Sequence, residues 1–203
     1  MDVMLDIETL DTAPTSSILS IGACVFNDLA VTNERFYIVA DRKSCRDLGL
    51  TESQSTIEWW EKQGEKAQRV FSDDNVSILV ALGEFSRWLE SLGGIKTIKM
   101  WGNGPDFDNV IVANAYKQAG LKLPWLFYNN RCHRTAKAMF DVPGVTYQLP
   151  RAGVHHNALD DAVYQAQNQV HIVNTYKNHM RLRSEAQAAK SRDPWQAGDS
   201  HEL

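Results

Sequence analysis

Three apolar, β-branched runs open the chain one after another, and their spacing leaves few folds available. Val3, Leu5 and Ile7 alternate with Met4 and Asp6, Ser17 to Phe26 is a second run, and Glu34 to Ala40 is a third. A period of two is strand periodicity, and the short link through Asn27, Asp28 and Asn33 suits antiparallel pairing of neighbours. A three-stranded meander is therefore expected first. From Asp41 to Leu92 the pattern turns helical: Thr56 to Gln63 carries Trp59 and Trp60, Glu65 to Phe71 continues, and Val76 to Leu92 is amphipathic up to Gly93-Gly94. Ile95 to Trp101 returns to strand. Gly102-Asn103-Gly104-Pro105 breaks it, and a helix capped by Asp106 or a neighbour runs to about Ala119. Trp125 to Tyr128 reads as a short fifth strand, Asn130 to Phe140 as a helix and Asp141 to His155 as a loop. The last helix spans Asn157 to about Met180, with Leu159, Val163, Ala166, Val170 and Val173 along one face. The sum is an α/β fold with a mixed five-stranded sheet flanked by helices.

At 203 residues the chain suits one domain, expected over 1–183 and followed by a polar tail over 184–203. Hydrophobic residues at 43% and charged residues at 23% argue against disorder. No apolar run approaches the roughly 18 residues of a bilayer helix, and the acidic start MDVMLDIET is unlike a secretory leader. The expectation is a cytoplasmic protein with no membrane partner. Cys24, Cys45 and Cys132 are odd in number and widely spaced, which reads as reduced and structural. The net charge of -4 by itself disfavours a nucleic-acid partner. Two bound divalent cations would return the sum to about neutral. Distribution also matters, because Lys117, Lys122, Arg131, Arg134, Lys137 and Arg151 fall in a stretch whose one acid is Asp141. That stretch is either a solvated surface or a face that follows phosphates.

Asp6 and Glu8 leave the same face of the first strand, about 7 Å apart at Cα. Asp-x-Glu triplets are common by chance in a chain with 25 acids. The neighbours Val3, Leu5 and Ile7 nevertheless describe a buried strand, and buried carboxylates need cations or partners. A second acidic group follows the glycine-rich turn in Trp101-Gly-Asn-Gly-Pro-Asp-Phe-Asp-Asn109, where Phe107, Ile111 and Ala115 would dock the helix. Asp108 would project from the first helical turn, and Asp106 competes with it, although a cap is the more natural role for Asp106. The third group is His155-His156-Asn-Ala-Leu-Asp160-Asp161-Ala162, a loop entering the last helix, where Ala158 and Ala162 would allow close approach to the sheet.

Taken together, Asp6-x-Glu8, Asn103-Gly-Pro-Asp-Phe-Asp108 and His156-x-Ala-x-x-Asp161-Ala resemble, in order, the three exonuclease motifs of the DnaQ-like DEDDh superfamily. The pair Trp59-Trp60 in Thr-Ile-Glu-Trp-Trp-Glu is similar to the phage-type and bacterial members that include DexA-like and exodeoxyribonuclease VIII-like enzymes. The resemblance implies a ribonuclease H-like fold and 3′-5′ hydrolysis of single-stranded DNA or RNA from the 3′ end, releasing nucleoside 5′-monophosphates. It further implies two divalent cations, Mg²⁺ or Mn²⁺, held by Asp6, Glu8, Asp108 and Asp161, with His156 as general base. Thr9, Leu10, Trp59, Trp60 and Asn103 would meet the substrate, and a homodimer would be in keeping with the family. The second motif carries one extra residue relative to the family pattern, which keeps Asp106 in contention. The pair His155 and Asp160 has the same spacing as His156 and Asp161, and the alanines favour the latter. Trp59 and Trp60 cannot share a helix face, so at least one belongs to the core. Two alternatives stand beside the exonuclease: a phosphodiesterase for very short oligonucleotides, and a non-catalytic nucleic-acid-binding module on the same fold.

Overall fold

A computed structural model describes residues 1–140, 142 and 148–190 of the chain. The meander forms as expected. β1 (Asp2–Thr9) pairs antiparallel with β2 (Ile18–Phe26), which pairs antiparallel with β3 (Val31–Val39). Helices α1 (Arg42–Asp47), α2 (Gln54–Glu61), α3 (Glu65–Gln68) and α4 (Ile78–Ser91) follow. The chain then returns as β4 (Lys99–Gly102), parallel to β1, and continues through α5 (Asp108–Gln118), β5 (Asn130–Cys132), α6 (His133–Met139) and α7 (Ala158–Lys190). The sheet order is β3-β2-β1-β4-β5, a mixed five-stranded sheet with helices on its faces. Among the described residues no helix is long and apolar enough to cross a membrane.

β1 is buried on both faces, and its two faces serve different purposes. Val3, Leu5 and Ile7 enter the main core with Leu82, Phe85 and Leu89 of α4 and Ile111 and Ala115 of α5. Met4 points the other way, against Ala162 and Ala166 of α7. Asp6 and Glu8 continue that second face toward the carboxyl end of the strand. They emerge beneath the start of α7, and that start sits unusually close to the sheet. A Cβ on Gly22 of β2 would fall on the backbone of Ala158 and Leu159, so only glycine admits the helix at this depth.

Four local expectations are corrected. The fifth strand lies at Asn130–Cys132, and Phe127–Asn129 is a 3-10 turn, because the parallel pairing of Asn130 to Cys132 with Met100 to Gly102 supplies the strand. The helix expected from Asn130 accordingly begins at His133. Asp106 is exposed and caps nothing: Phe107 occupies the cap position of α5, without a side-chain cap bond, and Asp108 opens the helix. Finally, α7 continues beyond Met180 to Lys190, and its most buried face is partly polar. Gln165, Asn168 and Gln169 are buried while Leu159, Val163 and Val170 are only half-buried. Their amides tolerate burial because each makes at least one hydrogen bond, although Gln165 Oε1 is left without a partner among the described residues. Asn168 Oδ1 accepts from the Leu149 amide at 3.0 Å and Gln169 Oε1 lies 2.8 Å from His133 Nδ1. Residues 141 and 143–147 of the expected loop, and 191–203 of the expected tail, lie outside the described residues. All three cysteines are free; burial pushes the Cys45 thiol up to about 11, which suits a structural role.

Candidate active site

The end of β1, the β4–α5 turn and the start of α7 meet around one cleft of about 340 Å³. Asp6, Glu8, Asn103, Asp108, His156 and Asp161 all line it. Each reaches it for a local reason. Asp6 and Glu8 are two apart on one strand face, 9% and 7% exposed. Asp108 sits in the first turn of α5, where its Oδ2 accepts a 2.8 Å bond from the Asn103 amide. The turn closes tightly because Gly102 has no side chain; a Cβ there would stand 3.0 Å from both Asp108 Oδ2 and Asn109 Oδ1. Asp161 lies in the first turn of α7, whose capping residue is Asn157: its Oδ1 accepts from the Asp160 amide at 3.1 Å.

The two histidine–aspartate pairs separate cleanly. Asp160 Oδ2 accepts a 2.7 Å bond from the Val154 amide and packs against Gly153, where an added Cβ would lie 2.6 Å from Asp160 Cγ. Asp160 therefore shapes the loop. Asp161 instead faces the cleft, ion-paired with Arg151 and accepting from the His156 amide at 3.3 Å. His156 holds a left-handed backbone, φ 63°, a conformation that is uncommon outside glycine and clusters at functional positions. Glu8, His156 and Asp161 offer ligand atoms that all lie within 4.8 Å of one another.

Electrostatically the cleft is unsatisfied. Burial, then the Asp108 and Glu8 charges, hold the Asp6 carboxyl well above its usual range, against a 2.6 Å bond from Gln165 Nε2. Burial and the Asp108 charge push Glu8 up to about 8, and burial pushes Asp108 up to about 6. Removing several like charges from water is unfavourable without compensation. Their oxygen-rich donor set fits hard divalent cations, which satisfy both demands at once. His156 moves the opposite way: burial, then His155 and Arg151, lower its imidazole to about 4, so the ring is neutral at neutral pH.

Of the expected substrate residues, Thr9, Trp59 and Trp60 border an adjoining cleft of about 380 Å³ with Ile7, Thr12, Thr56 and Phe107. Trp60 is 2% exposed and donates its indole N–H to the Thr9 carbonyl at 2.8 Å, making it a core residue with one edge on the cleft. Trp59 is 40% exposed and stands edge-on to His156, ring centres 4.8 Å apart. Leu10 is a correction. Its side chain is buried among Leu19, Val39 and Trp60 and does not reach the cleft. Sequence reasoning missed Gln165 and gave Arg151 no place in the site. Gln165 lies one turn after Asp161 on α7, so i,i+4 spacing was its one available signal. Arg151 carries none beyond its charge.

The antiparallel meander joined to a parallel β4 and β5, with acids gathered at the end of the first strand, defines a ribonuclease H-like nuclease fold. The chain belongs to the 3′-5′ exoribonuclease Rv2179c-like domain family, whose model matches residues 1–173, and it is a 3′-5′ exonuclease domain. Solved structures carry the same architecture at low identity. The nuclease domain of 3′hExo, a DEDDh family member bound to rAMP, is 14% identical at a TM-score of 0.59, covering 86% of this chain and 92% of that one. S. pombe Pop2p in its Mg²⁺- and Mn²⁺-bound form is 14% identical at 0.57, covering 84% and 82%. Cell-death related nuclease 4 is 14% identical at 0.52, covering 86% of this chain, which spans 64% of that nuclease. No curated protein matches the chain in sequence.

Proposed function

We propose that this chain removes nucleotides one at a time from the 3′ end of single-stranded RNA, releasing nucleoside 5′-monophosphates, with two divalent cations held by Asp6, Glu8, Asp108 and Asp161. The observation that carries this is the convergence of four carboxylates from three separate segments, with His156, on one cleft. Cations held by these residues would supply a lowered pKa for an attacking water and charge relief at the phosphate and leaving oxygen. Mg²⁺ and Mn²⁺ are the ions that all-oxygen ligands favour, and Pop2p is a neighbour solved with both. RNA is the preferred polymer because the family is described as an exoribonuclease family.

The protein's own groups divide the remaining work. His156, on the loop just before α7 and lining the cleft, accepts the proton of the attacking water. The Asn103 amide fixes Asp108, and Gln165 fixes Asp6. Trp59, partly exposed beside the histidine, supplies an aromatic ring on which a terminal base can stack.

The test is digestion of matched 5′-labelled RNA and DNA strands with Mg²⁺, Mn²⁺ or chelator. The expected product is a ladder shortened from the 3′ end by single nucleotides, faster on RNA and absent in chelator. Internal cleavage, or undiminished digestion in chelator, would contradict the reading. His156→Ala should lower kcat by ~10²–10⁴-fold, the usual contribution of a positioned base. Asp161→Asn should abolish turnover whereas Asp160→Asn should stay within a few-fold of wild type; equal losses in a steady-state assay would reverse that assignment.

A further inference from the structure

The carboxylate cleft opens in two directions, and the two sides differ in chemistry. On one side stand Trp59, Trp60 and Phe107, with no basic residue among the lining groups. On the other, a cleft of about 390 Å³ begins at Asp6 and Asp161 and is walled by Lys137, Arg151 and Arg134, the last of which also borders the carboxylate cleft. Arg134 and Lys137 are three apart on α6, so they share a face about 5–6 Å apart at Cβ, close to the repeat of successive phosphates in an extended strand. Neither has an acidic partner within salt-bridge distance among the described residues. The guanidinium of Arg151 lies 4.8 Å above the Tyr164 ring, at the Asp161 end of the same wall. Lys117 and Lys122, from the same basic stretch of sequence, are exposed and line neither cleft.

We infer that Arg134, Lys137 and Arg151 form a track for the phosphates on the 5′ side of the scissile bond, while the tryptophan side takes the terminal nucleoside. This rests on the exonuclease reading and extends it: it sets strand direction across the site and makes a strand several nucleotides long a better substrate than a dinucleotide. Cations in a concave wall, two of them without an acidic partner among the described residues, recognise backbone without regard to base.

The experiment compares ribo-oligonucleotides of two and seven nucleotides with wild type, Arg134→Gln/Lys137→Gln and the control Lys117→Gln/Lys122→Gln. Hydrolysis is followed in Mn²⁺, and binding of a fluorescent heptanucleotide is followed by anisotropy in chelator across a salt series. In the α6 double variant the heptanucleotide KM should rise ~10-fold with kcat little changed, and the dinucleotide should lose far less. The slope of log affinity against log salt should flatten by about 1.4, since each phosphate contact on a single strand contributes about 0.7. The control should match wild type in every readout. Equal losses on both lengths, or an unchanged salt slope, would overturn the track. Heptanucleotide binding that depends on Arg134 and Lys137 without any hydrolysis by wild type would instead uphold the track and defeat the exonuclease reading.

Discussion

Asp6→Asn is expected to abolish nucleotide release, by ~10⁴-fold or more, and at the same time to raise the melting temperature of the metal-free protein. The first effect follows from the loss of a shared carboxylate, a group whose removal has the scale seen for central catalytic residues. The second follows from burial. Asp6, Glu8 and Asp108 are held above their ordinary values by desolvation, and at Asp6 and Glu8 neighbouring carboxylates raise them further, so each ionised form opposes folding. A neutral amide of the same shape removes one of those charges and can still bond to Gln165. A gain of about 1–2 kcal/mol, or ~3–6 °C in a domain of this size, is the expected order. The same raised values set the pH dependence of the metal-free protein. Their stabilising contribution is fully present below the unfolded-state values of 3.8 for Asp108 and 4.5 for Glu8. It is lost as pH rises through about 6 and about 8 respectively. Thermal melts in chelator should therefore fall between pH 5 and pH 8, and saturating Mn²⁺ should remove most of that fall. A melting temperature that Asp6→Asn lowers, with flat pH dependence, would show that the acids are already compensated within the protein.

Gly22→Ala carries the other large expectation, although Gly22 touches no reacting atom. The new methyl would meet the Ala158 and Leu159 backbone, so no trimming of a side chain relieves it. Overpacking of this kind costs about 1–3 kcal/mol, and the displaced element is the start of α7, which carries Asp161 and Gln165. Misplacement by about 1 Å can reduce turnover by ~100-fold. The expected result is a lower melting temperature together with a fall in kcat, and Ala158→Gly in the same chain should rescue neither. Gly83→Ala is the contrast. Gly83 lies inside α4 with nothing within 4 Å of an added Cβ, so the substitution should be neutral or stabilising by about 0.5–1 kcal/mol. If Gly22→Ala melts and turns over like wild type, α7 does not sit where the structure has it.

What could be read in advance follows a physical pattern. The meander was legible because β1 to β3 are long enough for their alternation to stand out. So were Asp6 and Glu8, whose spacing places them on one strand face. β5 was not, because three residues carry no periodicity and their strand conformation comes from pairing with β4. The far end of α7 was missed because its polar residues look like a tail. Lys, Arg, Glu and Ala are nevertheless strong helix formers, and Arg181 pairs with Glu185 at 2.8 Å one turn on. Asp106 and Asp108 were separable only by which one begins the helix. Gln165 and Arg151 enter the site through contacts across 159 and 10 positions of sequence, with Asp6 and Asp161 respectively, and beyond the i,i+4 spacing of Gln165 from Asp161 no local signal encodes such meetings. Leu10 failed for the converse reason: adjacency to the first motif says nothing about which way a side chain turns.

The central claim is that four acids gathered from β1, α5 and α7 hold cations required for hydrolysis. Its most direct test is a calorimetric Mn²⁺ titration of chelator-stripped wild type beside Asp6→Asn and Asp108→Asn, with RNA hydrolysis measured on the same samples. The account predicts saturable binding by wild type that is weakened in both variants, with hydrolysis falling in step. Manganese binding and hydrolysis that are unchanged in either variant would contradict it.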